Sequence, residues 1–156
     1  MQCWTRRESA VTKILLDTNV LVAAYVKEHE HHSTSLALWE RIGLETTYIS
    51  THVLAEFFAS VTRLPHGMGI LPDHALLCLQ EALAQLRIIS LEEKDYRRAL
   101  ARTVASGGTG GRIYDALHLE AALKAGVSTI YTWNLKHFLP LAADTNLRVL
   151  SPAQTT

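Results

Sequence analysis

The 156-residue sequence has no surplus charge of either sign: lysine plus arginine and aspartate plus glutamate each number 15. A protein that holds nucleic acid by phosphate neutralisation alone needs a basic excess. Any such binding here must therefore be local, metal-assisted or completed by a second chain. Cysteine is scarce, and Cys3 and Cys78, with no CxxC spacing, support neither a disulfide framework nor a zinc site. No apolar run approaches a membrane span. Met1 to Glu8 carries Arg6 and Arg7 without a continuous apolar segment behind them, so it does not read as a secretory signal, and a cytoplasmic location is expected. Charged residues make up only 19% against 48% apolar, which excludes disorder. The length fits one domain over 1–156, with its core over about 12–150, and is too short for two of ordinary size.

What is present is an alternation of short apolar strands with helices. The pattern predicts strands over 13–16, 46–49, 87–90, 128–131 and 147–150. Helices are expected over 20–26, 33–42, from about 53 to the Leu64-Pro65 break, 72–86, 91–105, 113–125 and 135–138. Ser50 or Thr51 is placed to cap the third helix and Pro72 with Asp73 to open the fourth, while Gly43 and Gly126 act as stops. Such alternation argues for a parallel sheet with right-handed crossovers, an α/β sandwich.

The chemistry-bearing residues sit at the seams of this pattern. Ile14-Leu15-Leu16 ends abruptly in Asp17-Thr18-Asn19, which puts a carboxylate at the carboxyl edge of a sheet, where open α/β folds keep their ligands. A turn former or helix cap is the alternative reading of Asp17. Glu56 lies off the apolar arc of its helix, near His52 and Arg63, and taken singly reads as a solvated surface glutamate. Asp115 shares an arc with Ala116, Leu119, Ala122 and Leu123 and faces the body of the protein, where an unpaired carboxylate needs a cation, a donor or a solvated cleft. Thr132-Trp133-Asn134 follows a strand ending at Tyr131 and offers neutral oxygens at the same edge, or else a cap for the next helix.

In order and spacing, Leu-Leu-Asp17-Thr-Asn, Glu56, Tyr114-Asp115-Ala-Leu-His-Leu-Glu-Ala-Ala and Tyr-Thr132-Trp-Asn134-Leu-Lys-His-Phe together resemble the PIN domain, closest to VapC-type toxins. The resemblance covers nearly the whole chain. It implies a three-layer α/β sandwich with a parallel sheet of about five strands flanked by helices. It also implies an endoribonuclease dependent on Mg²⁺ or Mn²⁺, in which Asp17 and Asp115 ligate the metal and Glu56 does so directly or through water. Water activated by the metal would cut RNA to leave a 5′-phosphate and a 3′-hydroxyl. Asn134 completes the catalytic set where many relatives have another acid, so the pocket has one negative charge fewer. Asn19 and Thr132 would support the acids; Arg112, Lys136 and His137 are placed to meet phosphates. A cognate antitoxin and a homodimer are the partners the resemblance implies.

Other motifs lead less far. His29, His31 and His32 invite a transition-metal reading, but no carboxylate or thiolate pattern completes it, and a polar loop between helices accounts for them. The cluster Gly107 to Gly111 follows a helix instead of a strand and lacks the Lys-Ser or Lys-Thr of a phosphate loop, so it reads as a hinge. Asp17 as a phosphotransfer nucleophile would want a second acid at position 19, which is Asn. A PIN scaffold that has lost turnover with its fourth acid and serves as a binding module stays open beside the enzyme.

Overall fold

The computed structural model describes residues 12–65, 67 and 69–154; Cys3, the stretch Met1 to Glu8, and His66 and Met68 of the 66–69 loop lie outside them. Five strands, β1 (Ile14–Leu16), β2 (Thr47–Ser50), β3 (Arg87–Ile89), β4 (Thr129–Tyr131) and β5 (Arg148–Leu150), form one sheet in the order β3-β2-β1-β4-β5. Every pairing is parallel, with Leu15 opposite both Tyr48 and Ile130. The strand order reverses between β1 and β4, so their carboxyl ends flank the crevice in which such sheets bind ligands.

Side chains alternate across the sheet, as a strand period of two requires. Ile14, Leu16 and Ile49 join a core with α1 (Thr18–Tyr25), α2 (His32–Arg41), α3 (His52–Thr62) and α4 (Pro72–Gln85). Leu15 and Ile130 join a second core on the other face with α5 (Glu93–Ala105), α6 (Arg112–Ala125) and α7 (Leu135–Ala142). The result is a three-layer sandwich. Helix α6 is buried continuously from Ala116 to Ala122, so polar residues in that run must find partners inside the protein.

Several ends differ from the sequence pattern. Thr46 belongs to a 3-10 turn, Leu44–Thr46, because the Thr46 and Thr47 hydroxyls both bond the Gly43 carbonyl at 2.9 Å. Neither Ser50 nor Thr51 caps α3: the Ser50 hydroxyl turns inward to His118, and that of Thr51 accepts the Leu91 N–H. Helix α7 continues to Ala142 and holds Pro140 within it. Gly126 ends α6 as expected, at φ 63°, a backbone state that glycine enters without steric cost. Among the described residues no helix is long and apolar enough to cross a membrane.

Candidate metal centre

Asp17 stands at the N-cap position of α1, but its side chain makes no cap bond. Its N–H binds the Tyr131 carbonyl at 3.0 Å, which locks the end of β1 to β4. Carboxylate Oδ2 accepts the Thr132 hydroxyl at 2.7 Å. Thr132 Oγ1 in turn accepts the Asn134 N–H at 2.8 Å and the Asn19 amide at 3.3 Å, while Asn19 Oδ1 takes the Trp133 N–H at 3.1 Å. Asn19 and Thr132 thus fasten two strand ends together and aim Asp17 between them.

Glu56 reaches the same place from α3. Alone it reads as a surface glutamate; in the fold it is half-buried, and Oε2 accepts the Thr18 hydroxyl at 2.6 Å and His118 Nε2 at 3.0 Å. His118 is wholly buried. Its Nδ1 lies 2.9 Å from Ser50 Oγ, and its Nε2 is 3.5 Å from Asp17 Oδ1. With Nε2–H donating to the carboxylate, Nδ1 is left to accept from the serine. Ser50, His118 and Glu56 therefore form a chain of partners across three elements. Ligand atoms of Asp17, Glu56 and His118 all lie within 4.8 Å of one another.

Asp115 occupies the first turn of α6, half-buried, with Oδ2 at 3.3 Å from both the Asn134 amide and His137 Nδ1. Asn134 Nδ2 also donates to His137 Nδ1 at 2.6 Å, and its side chain makes no cap bond to α7. Burial, then the neighbouring Asp17 charge, pushes the Asp115 carboxyl up to about 7. Burial also raises Asp17, opposed by His118 and Thr132. Burial pushes Glu56 up too, but the His118 and Thr18 bonds outweigh it and hold the carboxyl below its usual range. On His118, burial lowers the pKa, but Glu56 and Asp17 raise it further, so the ring lies above its ordinary value.

Three carboxylates thus share the cleft with imidazoles but with no lysine or arginine on its wall, and the cluster is short of fixed positive charge. A divalent ion corrects that shortage, and carboxylate oxygens are the hard donors that such ions take. Asp17, Glu56 and His118 could hold one, His118 only by giving up its Nε2 proton, with Asp115 on the same cleft of about 210 Å³. Of the phosphate-facing candidates, His137 joins the cluster through Asp115 and Asn134, whereas neither Arg112 nor Lys136 lines the cleft. Among the described residues the triplet of histidines is not part of the gathered ligand atoms, and its members take separate roles, with His32 Nδ1 at 2.9 Å from the Ala23 carbonyl.

Sequence reasoning passed over His118, Ser50 and Thr18. A signal for His118 was present. It lies three residues beyond Asp115, hence on the same side of α6, as a polar residue within an otherwise apolar arc.

A model of the PIN domain matches residues 14–137. Ribonuclease VapC27 of Mycobacterium tuberculosis is 32% identical over 110 residues, 70% of this chain and 76% of that protein. Among solved structures, VapC20 of M. tuberculosis, described as a sarcin–ricin loop cleaving toxin, superposes with a TM-score of 0.69 at 20% identity, covering 87% of this chain and 99% of the other. A toxin–antitoxin complex from Klebsiella pneumoniae gives a TM-score of 0.65 at 19% identity over 92% of this chain and all of its own. With a family match over most of its length, a relative above 30% identity and the acids gathered at the expected sheet edge, the chain belongs to the PIN domain family, among the VapC-type ribonucleases.

Proposed function

We propose that this protein is a metal-dependent endoribonuclease, the toxin of a toxin–antitoxin pair, acting on RNA in the cytoplasm. The observation that carries the reading is the convergence of Asp17, Glu56 and Asp115 on one cleft at the β1/β4 crevice. Mg²⁺ or Mn²⁺ bound there supplies charge stabilisation for the phosphate and lowers the pKa of an attacking water. In this reading Asp17 and Asp115 are the principal ligands. Glu56, held by Thr18 and His118, ligates or orients the water, and Asn134 lends an amide where it also restrains Asp115. The antitoxin partner is proposed from the likeness to a solved toxin–antitoxin complex, and a homodimer from the family membership alone.

The test is cleavage of a panel of structured RNAs, a sarcin–ricin hairpin among them, by wild type, Asp17→Asn and Asp115→Asn with Mg²⁺, Mn²⁺ or chelator. Cutting by wild type with metal, and by neither variant, is the expected result. Equal cutting by all three points to a contaminant and removes the assignment. Binding without cutting by wild type favours the lapsed-scaffold reading, which Asn134 in place of an acid keeps in view.

A further inference from the structure

The acidic cleft has a problem that the metal ligands do not solve: a phosphodiester entering it meets carboxylates, and both side-chain amides on its wall already have protein partners. The Asn19 amide donates to Thr132, and the Asn134 amide to Asp115 and His137. Among the residues that line the cleft, His29 is the one side chain able to carry positive charge. Its Nδ1 accepts the His31 N–H at 3.1 Å. In the neutral ring the proton must then sit on Nε2, so Nε2–H is a donor in either charge state. No protein acceptor takes it among the described residues.

The loop that carries His29 is anchored to the catalytic edge. His29 N–H binds the Val26 carbonyl at 3.0 Å, and its own carbonyl takes the His32 N–H at 2.9 Å. His31 stacks on Trp133, with ring centroids 3.8 Å apart and planes at 12°. Trp133 is fixed at both ends: its indole N–H bonds Ser35 Oγ at 2.9 Å and its peptide N–H bonds Asn19 at 3.1 Å. The α1–α2 loop is thereby held to the turn that follows β4, and His29 is kept on the cleft wall. Burial, then His31, lowers the His29 pKa, which favours a neutral donor near pH 7.

We infer that His29 is a substrate-positioning residue whose Nε2–H donates to a non-bridging oxygen of the phosphodiester bound in the acidic cleft. The inference rests on the ribonuclease reading, and it assigns His29 to the substrate, with no part in holding the metal. Two substitutions separate this role from the support of the loop. His29→Asn keeps an oxygen near Nδ1 for the His31 N–H but has no group reaching the Nε2 position. His29→Gln extends an amide N–H to that position.

The experiment measures KM and kcat on whichever hairpin the wild type cuts, Mn²⁺ affinity by calorimetry, and metal-free binding of fluorescein-labelled hairpins by anisotropy. A hydrogen bond to a charged group corresponds to about tenfold or more in affinity. His29→Asn is therefore expected to raise KM about tenfold and to weaken hairpin binding similarly, with kcat and Mn²⁺ affinity near wild type and His29→Gln close to normal. Unchanged KM and binding in His29→Asn overturns the inference, as does a loss of Mn²⁺ affinity that accompanies the defect. If the wild type binds the hairpins but cuts none, the ribonuclease reading fails, and the anisotropy arm alone decides His29: weaker binding by Asn supports it, equal binding overturns it.

Discussion

With its carboxyl pushed up to about 7 by burial and by Asp17, Asp115 takes up a proton on folding that the unfolded chain releases near pH 4. The native state binds more protons between those values, so this residue's contribution to stability falls as pH rises from about 4 to 7 and stays at its least favourable above that. Asp115→Asn is expected to stabilise the metal-free protein at pH 8 by on the order of a few kcal/mol and to do little at pH 4, where both side chains are neutral. Denaturant melts at the two pH values measure the difference; equal effects would mean that Asp115 is not strained by its neighbours. The same proton competes with a cation, so Mn²⁺ affinity should drop between pH 8 and pH 6. Asn134→Asp works in the opposite direction. It replaces the donor on Asp115 by another negative charge, so it should tighten Mn²⁺ binding while destabilising the metal-free protein. Unchanged or weaker affinity by calorimetry would show that position 134 does not face the ion.

Helices α5 and α6 are joined by a different set of charges, remote from the cleft. Glu120, 3% exposed, accepts Arg98 Nε at 3.1 Å and Arg102 Nε at 2.9 Å, and Arg102 continues to Asp144 at 2.6 Å. Asp95 is buried beside it, paired with Arg98 and with Lys124 at 2.8 Å. Without the Glu120 charge Arg98 still has Asp95 and Arg102 still has Asp144, so the loss is confined to two charge-assisted hydrogen bonds. Glu120→Gln should therefore cost about 1–2 kcal/mol in a urea melt while Mn²⁺ affinity stays at the wild-type value. A loss of metal binding would show that α6 transmits this change to Asp115. This helix also shows why legibility stopped where it did. Periodicity placed Asp115 on the inner arc of α6, and glycine chemistry placed the stop at Gly126, because both are properties of neighbours in sequence. The partners of His118, Ser50 and Glu56, are 68 and 62 residues away, and only the pairing of β1 with β2 and the packing of α6 behind them bring the three together. Periodicity alone turned Glu56 toward solvent for the same reason, and only the resemblance put it with the acids: the side of α3 turned from its own core is turned toward Thr18 and His118.

At the scale of the molecule, the motifs after β1 and β4 were readable as sites because a parallel sheet puts every strand's carboxyl end on one edge. The sheet order that makes neighbours of Asp17 and Thr132 depends on which strands pair, which the strand sequences alone do not dictate. The absence of surplus charge was readable without any fold, and it governs how RNA is held. With 15 cationic and 15 acidic side chains there is no overall basic excess to release many counterions, so attraction is expected to be concentrated at the cleft. Each phosphate contact contributes a slope of about −0.7 to log K against log salt for a single strand. Contact with one to three phosphates through the cleft and its rim therefore predicts a slope no steeper than about −2. Hairpin binding measured from 50 to 300 mM KCl should weaken by only that much, whereas supplying Mn²⁺ to an Asp17→Asn-sensitive site should change it more than the whole salt range does. A slope near −5 would reveal an extended cationic track and would move recognition away from the metal cleft to a surface that the sequence composition argues against.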